Sequence, residues 1–234
     1  MTRRVVVLSS GVEFTRQLLQ VLDERGIRPD AVVLCVPGLA REWRSLPSTA
    51  RRLRALPLLP VRWVGRRLGP RLDRRLRVGA QRVVFTGPPN GARMERDLRR
   101  LGPDLVVLAG CACILGPSVL SIPREGVVNV HPGLLPWIRG NGPVTHSVLR
   151  GVPLGASAFR VDPGIDTGPL LERRLIPVRG GETTAQLWDA LHGLWVEMTA
   201  DLVRAALAGA LGPGTPQAGR FPLCRNSTPA ERAA

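Results

Sequence analysis

The chain has no lysine and no tyrosine: all 33 basic residues are arginine, and aromatic side chains make up 4% of the sequence. A formal net charge of +15 would ordinarily point to a polyanionic partner. An arginine-only repertoire instead suggests codon bias, which raises arginine wherever a cation is tolerated, so net charge alone does not assign nucleic-acid binding. Long apolar runs are also missing. No stretch approaches the roughly 18 residues a membrane span needs. Met1-Thr2-Arg3-Arg4 runs straight into Val5-Val6-Val7-Leu8, too short for a signal h-region with a cleavage site. A cytoplasmic protein is expected. The four cysteines, at 35, 111, 113 and 224, show no CxxC spacing; three of them lie in apolar surroundings where a thiol is ordinarily a small core residue, and no metal site is expected. The turn Ser9-Ser10-Gly11 holds a single glycine. It therefore matches neither GxGxxG nor GxxxxGK[ST], and nucleotide cofactor binding there is unsupported. No serine sits in a GxSxG elbow either, which argues against a covalent acyl-enzyme.

What remains can bury a sizeable core: 234 residues, 44% of them hydrophobic, favour one domain. Arg4 to Ser9 reads as a strand buried on both faces. Phe14, Leu18, Leu19 and Leu22 then recur at helical spacing until Gly26, and Ala31 to Val36 is a second strand. A β-α-β opening implies a parallel sheet. Further strands are expected at Arg82 to Phe85, Asp104 to Leu108, Val127 to His131, Ser157 to Val161 and Leu170 to Val178. Helices are expected at Ala92 to Leu101, from Val144 to Leu149, and at Thr184 to Ala208. The predicted fold is α/β: a Rossmann-like open, mostly parallel sheet flanked by helices.

Residues 41–80 interrupt this alternation as a basic insertion after the second strand. They hold 12 arginines against Glu42 and Asp73, broken by prolines, which suggests short helices. Three uses fit the insertion: a solvated arginine face, a site for a phosphate-bearing substrate, or contact with an anionic membrane surface. One folded unit is expected over residues 1–210, with 211–234 as an extended or poorly ordered tail.

The chemistry concentrates in Val127-Val128-Asn129-Val130-His131-Pro132-Gly133-Leu134-Leu135-Pro136 and in Gly164-Ile165-Asp166-Thr167-Gly168-Pro169. On a strand, Asn129 and His131 share one face. A strand that turns polar where it ends is the geometry of a site at the carboxyl edge of an open α/β sheet. Asn129 and His131 could donate to a developing oxyanion, and Asp166 could orient the imidazole and assist proton transfer. The same residue types also serve as caps, Asx-turns and structural hydrogen-bonding groups. His146 and His192 read as ordinary helix residues.

These residues resemble the folate-dependent formyltransferases. Asn129 to Pro136 is similar to the family's N-x-H-[PG]-S-L-L-P, Arg139-Gly140 with Pro143 to its R-G-x-x-P, and Val161 to Gly168 to its D-x-G-[IL]-D-T-G segment. The resemblance runs from Arg4 to about Gly209 and is strongest from Leu108 to Leu171. It implies a formyltransferase catalytic domain over 1–210, with Asn129, His131 and Asp166 catalytic and 10-formyltetrahydrofolate as formyl donor. It also implies a pterin lying against Leu108, Cys113, Ile114 and Leu115 and against the loop bearing Asp162, Gly164 and Ile165. Cys113 stands where some members carry arginine.

Ser10-Gly11-Val12-Glu13-Phe14 is nearer the methionyl-tRNA and sugar branch than the glycinamide ribonucleotide branch. The expected acceptor is a small amine that can bear phosphate, such as an amino sugar nucleotide. Transfer RNA is a less favoured partner, because the chain stops short of the further C-terminal domain of the methionyl-tRNA enzymes. A hydrolase using water as acceptor, and a folate or RNA binding module without turnover, are the remaining alternatives.

Overall fold

Valines dominate the first strand, and their burial explains why. In the computed structural model, β1 (Val5–Ser9) is buried at every position. Val5 and Val7 face one hydrophobic cluster while Val6 and Leu8 face another. A strand covered on both sides has no use for the polar alternation of a half-exposed one. The structure describes residues 3–10, 12–35, 75–78, 81–111, 113–219 and 221–226.

Along the chain, β1 is followed by α1 (Val12–Glu24), β2 (Ala31–Cys35), β3 (Arg75–Val78), β4 (Gln81–Thr86) and α2 (Ala92–Leu101). Then come β5 (Leu105–Ala109), α3 (Pro117–Leu120), β6 (Val127–His131), α4 (Pro143–Arg150), β7 (Gly155–Arg160), β8 (Leu170–Leu175) and α5 (Thr184–Leu207). They form an α/β fold around one eight-stranded sheet of order β3-β4-β2-β1-β5-β6-β7-β8. Four pairings are parallel, β1 with β2 and β5, β2 with β4, and β5 with β6. The other three, β3 with β4, β6 with β7 and β7 with β8, are antiparallel. The expected open, mostly parallel sheet is present, and its antiparallel pairs lie at the two ends. Only part of the 41–80 insertion is described. Its end, Arg75–Val78, is an edge strand where short helices were expected, and residues 41–74, 79 and 80 lie outside the described residues.

Helices α1 and α5 cover one face through Phe14, Leu18, Leu22, Leu191 and Val203. Met94 and Leu98 of α2 and Val119 of α3 cover the other. The strand order reverses beside β1, whose neighbours are β2 on one side and β5 on the other. The carboxyl ends of β1, β5 and β6 therefore meet where open α/β sheets bind ligands. Among the described residues no helix is long and apolar enough to cross a membrane.

Beyond Gly209 the described residues form neither helix nor ladder strand, yet they are tied down. Thr215 and Leu170 exchange two backbone bonds of 2.7 Å, and Cys224 is bracketed by Arg139 and Asn141 at 2.8 and 2.9 Å. Cys224 is only 2% exposed.

Candidate active site

Strand β6 delivers Asn129 and His131 to the same face, as period-two geometry requires, with Val128 and Val130 turned into the α1/α5 core. The indole of Trp195 on α5 donates to the Val130 carbonyl at 2.7 Å, so the strand end is held from the opposite side. His131 is 6% exposed and lies over Gly133, where a Cβ would fall 2.8 Å from Nε2. Gly133 stands where the motif carries serine.

Each ring nitrogen of His131 faces an acceptor. Nε2 is 2.9 Å from the Ile138 carbonyl, and Nδ1 is 3.6 Å from Oδ2 of Asp166. A carbonyl can only accept, so Nε2 carries a hydrogen, and in the neutral ring the Nδ1 lone pair faces the carboxylate. Burial holds the imidazole below its ordinary range, opposed by the Asp166 charge and by the Ile138 carbonyl. At 3.6 Å the His131–Asp166 approach is longer than a hydrogen bond. It is an electrostatic contact that would strengthen if the ring took a proton.

Asp166 sits in a left-handed conformation, φ 53°, and its Oδ2 accepts from the Gly140 amide at 2.9 Å. The loop before it folds on Asp162, whose Oδ1 accepts from the Gly164 amide at 3.1 Å and the Thr167 hydroxyl at 2.6 Å. That is an Asx-turn, and it engages one oxygen of Asp162 in shaping the loop. Arg139 donates to the Ile165 carbonyl at 3.0 Å. Asn129 pairs with Leu108 across β5 and β6, and its amide has no hydrogen-bond partner among the described residues.

Of the residues expected to meet a pterin, Leu108 and Leu115 are buried while Ile114 is 61% exposed. Cys113, in the segment after β5, and Val161, just before the Asp162–Asp166 loop, pack against the same cluster. Ile114 thus stands uncovered beside the buried Leu115. Gly110 makes the turn at the head of this segment, with φ 58°, and a Cβ there would meet Phe14 at 2.7 Å.

The thiols divide into two kinds. Cys35 and Cys224 are buried, as core thiols are expected to be, whereas Cys111 and Cys113 are half-buried with sulfurs 3.2 Å apart. Cys113 beside it and the Ser10 hydroxyl lower the Cys111 thiol to about 7, against burial. Among the described residues no group of three or more His, Cys, Asp and Glu side chains could hold a metal ion.

Residues 90–201 match the profile of the formyl transferase family. Over that segment the chain belongs to the formyl transferase family. Methionyl-tRNA formyltransferase of Halorhodospira halophila is 32% identical over 209 residues, 89% of this chain and 60% of that protein. The chain thus spans less than two thirds of that relative. Among solved structures, glycinamide ribonucleotide transformylase 1 from Geobacillus kaustophilus gives a TM-score of 0.59 at 25% identity, covering 91% of this chain and 100% of that one. The formyltransferase PseJ from Anoxybacillus kamchatkensis, solved in complex with UDP-4,6-dideoxy-4-formamido-L-AltNAc and tetrahydrofolate, gives 0.55 at 14%, covering 94% and 85%. At that identity the likeness is one of fold.

In this formyl transferase domain the structure brings Asn129, His131 and Asp166 to one strand end and one loop. Two contributors escaped sequence reasoning. Asn90, itself at φ 61°, donates to the Ile114 carbonyl and accepts from the Gly116 amide, both at 2.8 Å. It thereby pins the segment after β5, and the Pro-Asn-Gly turn at 89–91 was the available signal. Gln217 donates to the Asp166 loop from the tail, a position no motif marks. His146 is a buried helix residue whose Nε2 meets the Arg225 carbonyl at 2.8 Å. His192 packs among Phe14, Trp188 and Trp195.

Proposed function

We propose that this protein transfers a formyl group from 10-formyltetrahydrofolate to the amine of an acceptor by direct attack, with a small amine such as an amino sugar nucleotide as acceptor. The observation that carries the proposal is the buried His131 ring set between the Ile138 carbonyl and the Asp166 carboxylate, with the Asn129 amide on the same strand face. The folate would supply an activated formyl carbon, seated against Ile114 and the loop bearing Asp162, Gly164 and Ile165.

The chain's own groups would do the rest. With Nε2 occupied by Ile138, His131 is better placed to receive a proton at Nδ1 than to donate to an oxyanion, which differs from the role expected of it from sequence. Burial keeps the ring neutral and able to accept. Asp166 would then stabilise the imidazolium that forms, closing the 3.6 Å gap into a charge-assisted hydrogen bond. The Asn129 amide would meet the oxygen on which negative charge develops, and as the bond from the formyl carbon to the folate nitrogen breaks, the imidazolium would return its proton to that leaving nitrogen. No nucleophilic side chain is required.

A second acceptor class, an aminoacyl-tRNA, is favoured by one observation: the 32% identity to a methionyl-tRNA formyltransferase across 89% of this chain. Loss of formyl donor measured with amino sugar nucleotides, charged initiator tRNA and water in parallel separates these readings. Acceptor-dependent turnover with a sugar nucleotide is expected. Turnover with tRNA alone would move the acceptor to the second class, and formate release without any amine would make the protein a hydrolase. Asp166→Asn and His131→Gln should each lower kcat by about 10²-fold or more, the scale of positioned acid–base groups. Asn129→Ala should cost on the order of 10²-fold, the scale of one oxyanion donor. Full activity in Asp166→Asn would remove the catalytic assignment.

A further inference from the structure

The loop that carries Asp166 has few backbone partners of its own, and its carbonyls are instead held by side chains. Arg139 takes the Ile165 carbonyl at 3.0 Å. Both remaining contacts come from one residue beyond the last helix: Nε2 of Gln217 donates to the Asp166 carbonyl at 3.0 Å and to the Gly168 carbonyl at 2.7 Å. Reversing the amide would set its oxygen against two carbonyl oxygens, so the donor assignment is chemically forced. The other end of the amide is left unmatched. Gln217 Oε1 is buried without a partner among the described residues, a cost tolerated for the sake of the donor end.

The segment bearing Gln217 is anchored on both sides. Thr215 exchanges two 2.7 Å bonds with Leu170 just after the loop, and Phe221 accepts from Arg139 Nη1 at 3.3 Å. Asp166 itself occupies a left-handed conformation at φ 53°, which a non-glycine residue keeps only when its surroundings over-determine it. We infer that Gln217 is a positioning residue, which locks the Asp166 turn so that the carboxylate faces the Nδ1 edge of His131. The inference rests on the catalytic reading of Asp166 and His131 for its consequence in turnover, but the coupling between Gln217 and His131 can be read without turnover.

The test uses the full chain in four forms: wild type, Gln217→Met, Asp166→Asn, and the two combined. Methionine keeps the length of the side chain and removes both donors. Proton titration of the His131 ring is followed by NMR, its signal assigned by loss in His131→Gln among the three histidines. Asp166 favours the charged ring, so its displacement in Gln217→Met should lower the His131 midpoint by about half a pH unit or more. On the Asp166→Asn background the same substitution should leave the midpoint unmoved. Turnover should fall roughly 10-fold in kcat with a smaller change in KM, as expected of a misplaced catalytic group, and that loss too should vanish on the Asp166→Asn background. An unchanged His131 midpoint in folded Gln217→Met would overturn the proposal, as would an equal shift with and without the Asp166 carboxylate. Should Gln217→Met fail to fold, Gln217→Ala is titrated by the same criterion. A wild type inactive toward every acceptor, yet showing the Asp166-dependent shift, would sink the proposed function and leave the positioning role standing.

Discussion

His131 joins two opposing influences in one side chain. Burial disfavours its charged form, and the two acceptors around it favour that form. The net result is a pKa below the ordinary histidine value, which favours the neutral ring with its Nδ1 lone pair. If that lone pair is the base, kcat/KM should fall on the acid side with a midpoint below about 6.5, the ordinary histidine value. Asp166→Asn removes a charge that raises the pKa, so the midpoint in that variant should move lower still; a pH–rate profile of both proteins checks the sign. Stability follows the same logic. The folded ring binds a proton less readily than the unfolded one, so the unfolded chain gains it first and stability is lost as pH falls through about 6.5. The identity of the pair could be expected from residue types and motif resemblance. That Nε2 would meet the Ile138 carbonyl could not, because a backbone carbonyl carries no sequence signal.

The elements divide by how their stability is encoded. Strands β1 and β5 are largely branched and buried on both faces, β6 alternates valines with Asn129 and His131, and each was legible within a residue or so at its ends. Helix α5 was legible from its apolar period, while its start is fixed by a capping box: Gln186 N donates to the Thr183 hydroxyl at 3.3 Å and Thr183 N to the Gln186 side chain at 2.8 Å. Thr183→Ala should therefore cost about 0.5–2 kcal/mol, read from the denaturant midpoint. The same helix bears Trp195, whose bond to Val130 supports the end of β6. The segment from Thr215 to Arg225 has no period to read. Its order comes from scattered hydrogen bonds to Leu170, Arg139, Asn141 and His146, which any mixture of glycine, proline and small residues could make or fail to make.

Across the whole molecule, α5 is the element that joins the halves of the sheet. It packs with α1 and reaches strands β1, β5, β6 and β7, and its Leu191 is fully buried. Leu191→Ala should destabilise the fold by about 2–5 kcal/mol, seen as a lower denaturant midpoint with an unchanged slope. The sequence by itself determined the α/β class, the buried strands and the polar strand end at Asn129 and His131, because hydrophobic period and residue chemistry act over a few neighbouring positions. Only the tertiary structure decided that β7 and β8 run antiparallel, that two cysteines stand side by side at the carboxyl end of β5, and that Gln217 grips the Asp166 loop. Those outcomes depend on which distant groups meet, and hydrogen bonds between distant groups leave no local pattern from which they could be read.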